Sequence, residues 1–470
     1  MDARDAQRRS AGRTLVRWAL AAALGGFVFG YELAVISGAL LFVRREFALN
    51  AFQQGALVSV LPLGAMAGGL LAGRVADALG RRRALILIAV AFVAATLVAT
   101  VAPSYGVLLA ARALTGVAVG AVSSTTPLYL SEIAPPDRRG RLVTLNQLMV
   151  TLGIVTAYVV GLVFSGSGSW RAMFAMGLVP STLLLAGMVR AAETPAWLAA
   201  HGQADRAREV VLQVVDEAQA PLMVEDLGRI AEQESRRIGV PALLRSAAAP
   251  AVLIGVALGA MQQFAGINAV IAYAPSVMER SGLGASSSLL SSVVIGLANV
   301  AATVVSIRLV DQRGRRPLLL SSAAGACLSL ALLGLTFEVS LGGAGSWLSL
   351  VFLMAYITAF AIGLGPIFWV LISEIFPPEA RAAGAGVATA VNWFSGFVVG
   401  LAFAPVVDAI GQGPTFWIFA AVCALAFAFV IRYVPETKGR SFAEIAADVQ
   451  ARVGGGRHGP AVPHRGGGRA

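Results

Sequence analysis

Apolar runs long enough to cross a bilayer recur twelve times along these 470 residues, and that recurrence commits the chain to lipid as its solvent. They fall at roughly 18–43, 54–76, 83–102, 105–128, 141–165 and 170–190, then at roughly 249–278, 285–310, 317–338, 346–373, 382–408 and 413–434. A spanning helix needs about 20 mostly apolar residues, and membrane helices tolerate the Gly and Ser that these runs contain. Composition agrees: 57% of residues are hydrophobic and 13% charged, whereas a soluble chain is nearer 45–50% apolar and about 25% charged. The expected fold is all-α, with twelve transmembrane helices.

The formal net charge of +11 would raise the question of nucleic acid in a soluble protein. Here the basic residues sit in short connections between apolar runs, and no separate basic domain exists to bind a polyanion. Arg81, Arg82, Arg83, Arg138, Arg139, Arg141, Arg313, Arg315, Arg316 and Arg381 all fall in alternate loops, whereas the opposite loops hold only Arg44, Arg45, Arg171 and Arg280. By the positive-inside rule both termini face the cytoplasm, which requires an even number of spans. Cys327 and Cys423 lie within apolar runs and define no disulfide framework or metal site. His201, His458 and His464 lie in polar segments, so no metal and no cofactor is expected. Arg8 to Leu24 has the outline of a signal peptide, but the apolar stretch continues to about Val43 and reads as a retained first helix.

The two halves repeat. Asp77-Ala-Leu-Gly-Arg-Arg82 matches Asp311-Gln-Arg-Gly-Arg-Arg316, and Ser131-Glu-Ile-Ala-Pro-Pro136 matches Ser373-Glu-Ile-Phe-Pro-Pro378. Glu193-Thr-Pro matches Glu436-Thr more loosely, and all three lie in the same order at nearly constant offset. Six-plus-six duplication is the signature of a carrier whose lobes rock around a midplane site. The segments are 1–17, a cytoplasmic N-terminal stretch; 18–190, the first six-helix lobe; 191–248, a cytoplasmic helical linker; 249–434, the second lobe; and 435–470, a cytoplasmic tail expected to be largely disordered.

Further motifs give the pattern a family. Gly26-Phe-Val-Phe-Gly-Tyr-Glu-Leu-Ala-Val-Ile-Ser-Gly-Ala39, Arg112-Ala-Leu-Thr-Gly116, Pro127-Leu-Tyr-Leu-Ser-Glu132, Gln262-Gln-Phe-Ala-Gly-Ile-Asn268, Gly365-Pro-Ile-Phe-Trp369, Asn392-Trp393 and Pro435-Glu-Thr-Lys-Gly439 follow in order. Together they resemble the sugar porters of the major facilitator superfamily. The resemblance implies two pseudo-symmetric six-helix lobes and transport of a monosaccharide or polyol, and it places the family's proton-coupling acid, usually Asp, at Glu32. It also marks departures. Ala78 replaces an Arg, Ala192 to Ala196 alters the Pro-Glu-Ser-Pro-Arg motif, Ile154 stands where many members carry a sugar-binding Gln, and Ala272 stands where they carry the first Tyr of a pair.

The candidate site residues have matching chemistry. Gln262, Gln263 and Asn268, near the helix-interrupting Gly266 and Pro275, each offer the donors and acceptors that sugar hydroxyls need. Discontinuous helices at mid-membrane are where such carriers bind substrate. Trp369 and Trp393 offer flat faces to the C–H side of a sugar ring, with Asn392 beside the second; Asn299 and Phe29 are further expected contacts. The alternatives are interhelical hydrogen-bond glue for the amides and plain packing for the aromatics. Glu32 and Arg112 are the ionisable residues placed deep in the membrane, ~22 Å from the Arg-rich edge and ~10 Å from the other edge of a ~30 Å core, so they can pair. A static ion pair is the competing reading.

The resulting expectation is a plasma-membrane carrier that moves a sugar and a proton together as a monomer embedded in lipid. Uniport by the same fold and a non-transporting sugar sensor are the alternatives; no nucleophile–base pair or phosphate loop points to an enzyme. A cytoplasmic gate is expected from cross-lobe ion pairs, Glu132 with Arg381 and Glu374 with Arg139, that hold the outward-open state, braced by Asp77, Arg81, Asp311 and Arg315.

Overall fold

The computed structural model describes residues 3–135, 138–215, 238–342 and 344–453, with Ala220 and Met223 between them; the side chains of residues 3–11, Ala285 and Asp311 fall outside that description. Among the described residues the regular elements are all helices. The first five spans are α1 (Ala3–Glu46), α2 (Ala51–Leu79), α3 (Arg81–Thr100), α4 (Tyr105–Ile133) and α5 (Arg139–Val163), and α6 (Trp170–Ala175) with α7 (Leu178–Arg190) makes the sixth. Short helices α8 (Pro195–Ala200), α9 (Ala204–Val214) and α10 (Val240–Arg245) connect the halves. The seventh span is α11 (Ala249–Phe264) with α12 (Ile267–Arg280), followed by α13 (Ala285–Arg313) and α14 (Arg315–Glu338). The tenth is α15 (Ala344–Ile362) with α16 (Leu364–Glu374), then come α17 (Arg381–Ile410), α18 (Gln412–Tyr433) and a terminal helix α19 (Phe442–Val453).

All twelve expected spans are present among the described residues. Three of them are broken, which apolar content alone does not reveal. The sixth breaks at Met176–Gly177, the seventh at Ala265–Gly266 and the tenth at Gly363. The expectation of a largely disordered 435–470 is corrected in its first half. There α19 buries Ile445 and Val449, and the Gln450 amide donates to the Ala247 carbonyl at 3.4 Å. Residues 454–470, with His458 and His464, lie outside the described residues, as does much of the linker between Val215 and Ile238.

Local sequence sets the turns. Asn50 caps α2 by accepting from the Gln53 N–H, while the Gln53 side chain accepts from the Asn50 N–H, so two orphan donors are satisfied reciprocally. The α2–α3 and α13–α14 turns pass through Gly80 (φ +96°) and Gly314 (φ +88°). A side chain at either would be strained by the backbone, and its Cβ would run into the carboxylate of Glu193 or Glu436.

The lobes meet along α2 against α17, α5 against α13, and α1 against α12. Under the duplication α2 corresponds to α13 and α5 to α17, so the first two contacts exchange and the third maps onto itself. The interface is not closed evenly. Residues 141–149 of α5 are all exposed or half-buried, and most of 381–391 of α17 are half-buried, whereas Tyr31–Val43 of α1 and Ile267–Met278 of α12 are almost entirely buried. The molecule is therefore open towards its arginine-rich face and closed on the opposite one.

Candidate functional site

In the second lobe, four amides form one chain. Asn268 Nδ2 donates to Gln263 Oε1 at 2.7 Å, Gln263 Nε2 to Asn392 Oδ1 at 3.1 Å, and Asn392 Nδ2 to Gln262 Oε1 at 2.6 Å. Asn392 Nδ2 also reaches the Gly259 carbonyl at 3.0 Å. The broken seventh span makes this geometry: Gly266 in the left-handed region (φ +92°) turns the chain so that Asn268 faces back onto Gln263. Gly396 leaves room for both, because a Cβ there would lie 3.3 Å from each amide. A connected, largely buried network of this kind holds the amide orientations together.

The members of this chain differ in role. Gln262 spends both donors on the Leu364 and Gly365 carbonyls, at 2.9 and 3.0 Å, just past the break in the tenth span. It is thus the glue between two interrupted helices. Gln263 and Asn268 keep acceptor and donor capacity beyond the bonds they make. From Gly365 a row of part-exposed residues runs along α16 through Trp369, 38% exposed, to Ser373. Trp393 is buried against Phe29 of the first lobe, with ring centroids 5.9 Å apart, and its indole N–H has no partner. A buried, unpaired donor beside an opening is a place for an incoming hydroxyl. Asn299 is half-buried and makes no side-chain hydrogen bond among the described residues.

Glu32 and Arg112 meet as expected. Arg112 Nη1 lies 3.5 Å from Glu32 Oε2 and donates to the Glu32 carbonyl at 2.9 Å, and the Thr96 hydroxyl donates to Glu32 Oε1 at 3.2 Å. Both are essentially buried, at 2% and 1% exposure. The break in the sixth span makes room for them, since a Cβ on Gly177 would sit 2.9 Å from Glu32 Oε1. Arg112 Nε remains unpartnered, and its guanidinium lies 5.9 Å from the Phe174 ring centroid. The carboxylate–guanidinium contact is long, and the arginine is only partly satisfied.

At the arginine-rich face the expected cross-lobe pairs are not formed. Glu132 accepts from Arg81 Nε at 3.1 Å and from Thr194 Oγ1 at 2.5 Å; Glu374 accepts from Arg315 Nη2 at 2.6 Å and from Thr437 Oγ1 at 2.6 Å. Both glutamates are thus held within their own lobes. Arg139 Nε donates to the Ser131 carbonyl at 2.9 Å, and Arg381 lies over the Phe442 ring at 5.1 Å. With this face open, the two lobes stand too far apart here for short-range pairing. Asp77 bridges to Arg81 at 3.0 Å, while the Asp311 side chain lies outside the described residues.

Each cluster has members that the motif matches marked but did not assign. Glu193 accepts from the Arg82 backbone N–H at 3.0 Å, and Glu436 accepts from the N–H groups of Arg315 and Arg316 at 3.0 and 3.1 Å. Burial pushes the Glu436 carboxyl up, but four backbone donors outweigh it and hold the group below the ordinary glutamate value. The sequence reading also passed over Asn146 and Gln147. They sit on the open half of α5, away from the exposed Leu152 and Val159; Asn146 Oδ1 is buried without a partner and Gln147 is exposed. Gln147 lies two turns from Ile154 on the same helix face. Ile154 and Ala272 are themselves packed into the apolar core, at 4% and 3% exposure, so neither opens a hole. The Tyr273 hydroxyl next to Ala272 is buried and unpaired.

Twelve spans in duplicated lobes, a polar site between them and access from one face define a membrane carrier of major facilitator architecture. The chain belongs to the sugar (and other) transporter family, whose model matches residues 18–449. It is 39% identical over 437 residues to a metabolite transport protein of Bacillus subtilis (strain 168), covering 92% of this chain and 95% of the relative. It is 36% identical over 436 residues to the galactose-proton symporter of Escherichia coli (strain K12), covering 90% and 92%. The xylose transporter of E. coli in its partially occluded inward-open conformation superposes with a TM-score of 0.80 at 29% identity, covering 91% of this chain and 100% of that one.

Proposed function

We propose that this protein is a secondary active carrier of a monosaccharide or polyol, moved together with a proton by alternating access across the cytoplasmic membrane. Its arginine-rich face and both termini lie in the cytoplasm, and it works as a monomer that binds neither nucleic acid nor cofactor. The observation that carries the coupling is Glu32, a carboxylate buried one lobe away from the amide chain and held by a 3.5 Å contact to Arg112. An ionisable group deep in a membrane protein is costly and marks an ion pathway. The galactose-proton symporter among its relatives supports the same reading.

Gln263, Asn268, Asn392, Trp369, Trp393 and Phe29 bind the substrate from the second lobe and its border, with Gln147 and Asn146 opposite them. Gln262 acts through the helices it joins. Ile154 and Ala272 do not reshape the pocket; the contacts they lack come from Gln147 and the Tyr273 hydroxyl. Purified protein in liposomes tests all of this. Labelled-sugar counterflow identifies a carrier, and accumulation driven by an acid exterior identifies symport; counterflow without accumulation means uniport, and neither means a sensor. A panel of glucose, xylose, galactose, inositol and deoxy-sugars then reads the pocket, and preference for deoxy-sugars would show that Ile154 and Ala272 reshape it after all.

A further inference from the structure

The closed outer face is held at two depths along one helix, α12. Near the surface, Glu279 of the second lobe accepts from Arg44 Nη2 at 2.7 Å and lies 3.4 Å from Arg45 Nη2, both on the outer end of α1 in the first lobe. Arg44 and Glu279 are only 22% and 24% exposed. The other charges at this rim are engaged within one lobe: Glu46 with Trp170 Nε1 and Arg171, and Arg280 with Asp408. Deeper in, the Tyr158 hydroxyl of α5 donates to the Ile271 carbonyl of α12 at 3.0 Å, again across the lobes. That carbonyl is available because residue 275 is a proline, which has no N–H to donate to the carbonyl four residues before it. The helix thus carries one acceptor that its own backbone leaves open, and Tyr158 fills it from the other lobe.

We propose that Tyr158 on the Ile271 carbonyl, with Arg44 and Arg45 on Glu279, forms a two-point clasp that shuts α12 against the first lobe and must break for the protein to face outward. This rests on the alternating-access reading above. Opening would leave the Ile271 carbonyl and the Tyr158 hydroxyl to water or substrate, and would return the outer charges to solvent. Two consequences follow from the physics. The inner bond is sheltered and insensitive to salt, whereas the outer pair weakens when external ionic strength shortens the Debye length. Tyr158 also acts as a positioning residue, since α12 carries Asn268 and Tyr273 into the site.

The test reads opening directly and does not need sugar transport. In a Cys327→Ser, Cys423→Ser background, Ser59→Cys places a thiol at a position that is 0% exposed and abuts Gly400 of the other lobe. A membrane-impermeant maleimide is applied from outside to proteoliposomes. Tyr158→Phe and Glu279→Gln should each speed labelling about fivefold, the scale of one lost hydrogen bond or partly buried ion pair, and the double variant should exceed either. High external salt should speed labelling of the parent and of Tyr158→Phe but not of Glu279→Gln. Exchanging the charges in Arg44→Glu with Glu279→Arg should slow labelling relative to Glu279→Arg alone, which also guards against a folding defect. Labelling unchanged in both single variants, or accelerated equally by salt with and without Glu279, overturns the clasp. Labelling that behaves as expected in a protein inactive in counterflow would overturn the transport reading and leave the clasp standing.

Discussion

Glu32 is the residue on which the proposed proton coupling turns. One oxygen takes the Thr96 hydroxyl and the other a distant Arg112, and the Glu32 backbone carbonyl would still accept from Arg112 if the carboxylate took a proton. Glu32→Gln should abolish acid-driven accumulation while sparing sugar exchange down its gradient, measured in the same liposomes; concentrative uptake by that variant would remove Glu32 from the mechanism. The sequence named this pair by depth, but not the notch at Gly177 that seats the carboxylate, because the notch exists only when the sixth span packs on the first. Asn392 is the corresponding test in the second lobe. It joins Gln262, Gln263 and the Gly259 carbonyl, and losing neutral hydrogen bonds at about 0.5–1.5 kcal/mol each should raise the sugar KM roughly tenfold in Asn392→Ala. A KM unchanged in that variant would place the substrate elsewhere.

At the scale of the element, the breaks in the spans matter more than the spans. Gly266 takes a left-handed conformation, and a Cβ there would also collide with the Phe419 ring. Gly266→Ala should therefore misplace Asn268 and α12 together, so that sugar binding measured by tryptophan fluorescence is lost while helical content by circular dichroism is kept. Wild-type binding in that variant would show that the break is incidental. Polar residues and Gly flagged the seventh span in the sequence. The sixth and tenth gave less warning, since Met176–Gly177 and Gly363 lie in runs as apolar as any unbroken helix. Where a helix breaks inside a membrane depends on which neighbours satisfy the freed groups, as the Ser306 hydroxyl does for the Ile362 carbonyl and Ser322 does for the Leu364 N–H, and those neighbours are distant in sequence.

For the whole molecule, duplication gives the two arginine-rich clusters the same parts in unequal surroundings. Glu132 and Arg81 have side chains 5% and 4% exposed, while Glu374 and Arg315 are 28% and 14% exposed. Breaking a buried pair leaves a charge uncompensated at a cost of about 3–5 kcal/mol, whereas more exposed pairs are worth about 0–1 kcal/mol. Glu132→Gln should thus lower thermal stability in detergent distinctly more than Glu374→Gln; equal shifts would mean that both clusters are equally solvated. Duplication, span number and the types of residue in the candidate site were legible in the sequence, because each follows from short patterns: motifs repeated in order and runs of apolar side chains. Which glutamate pairs with which arginine was not. The expected cross-lobe pairs require the inner face to be closed, and a sequence that encodes an alternating carrier encodes more than one arrangement of the same charges. The tertiary structure chose one of them, open on the arginine-rich face and closed on the opposite one, since contacts between lobes depend on distances that rigid-body rotation changes while every helix keeps its own hydrogen bonds.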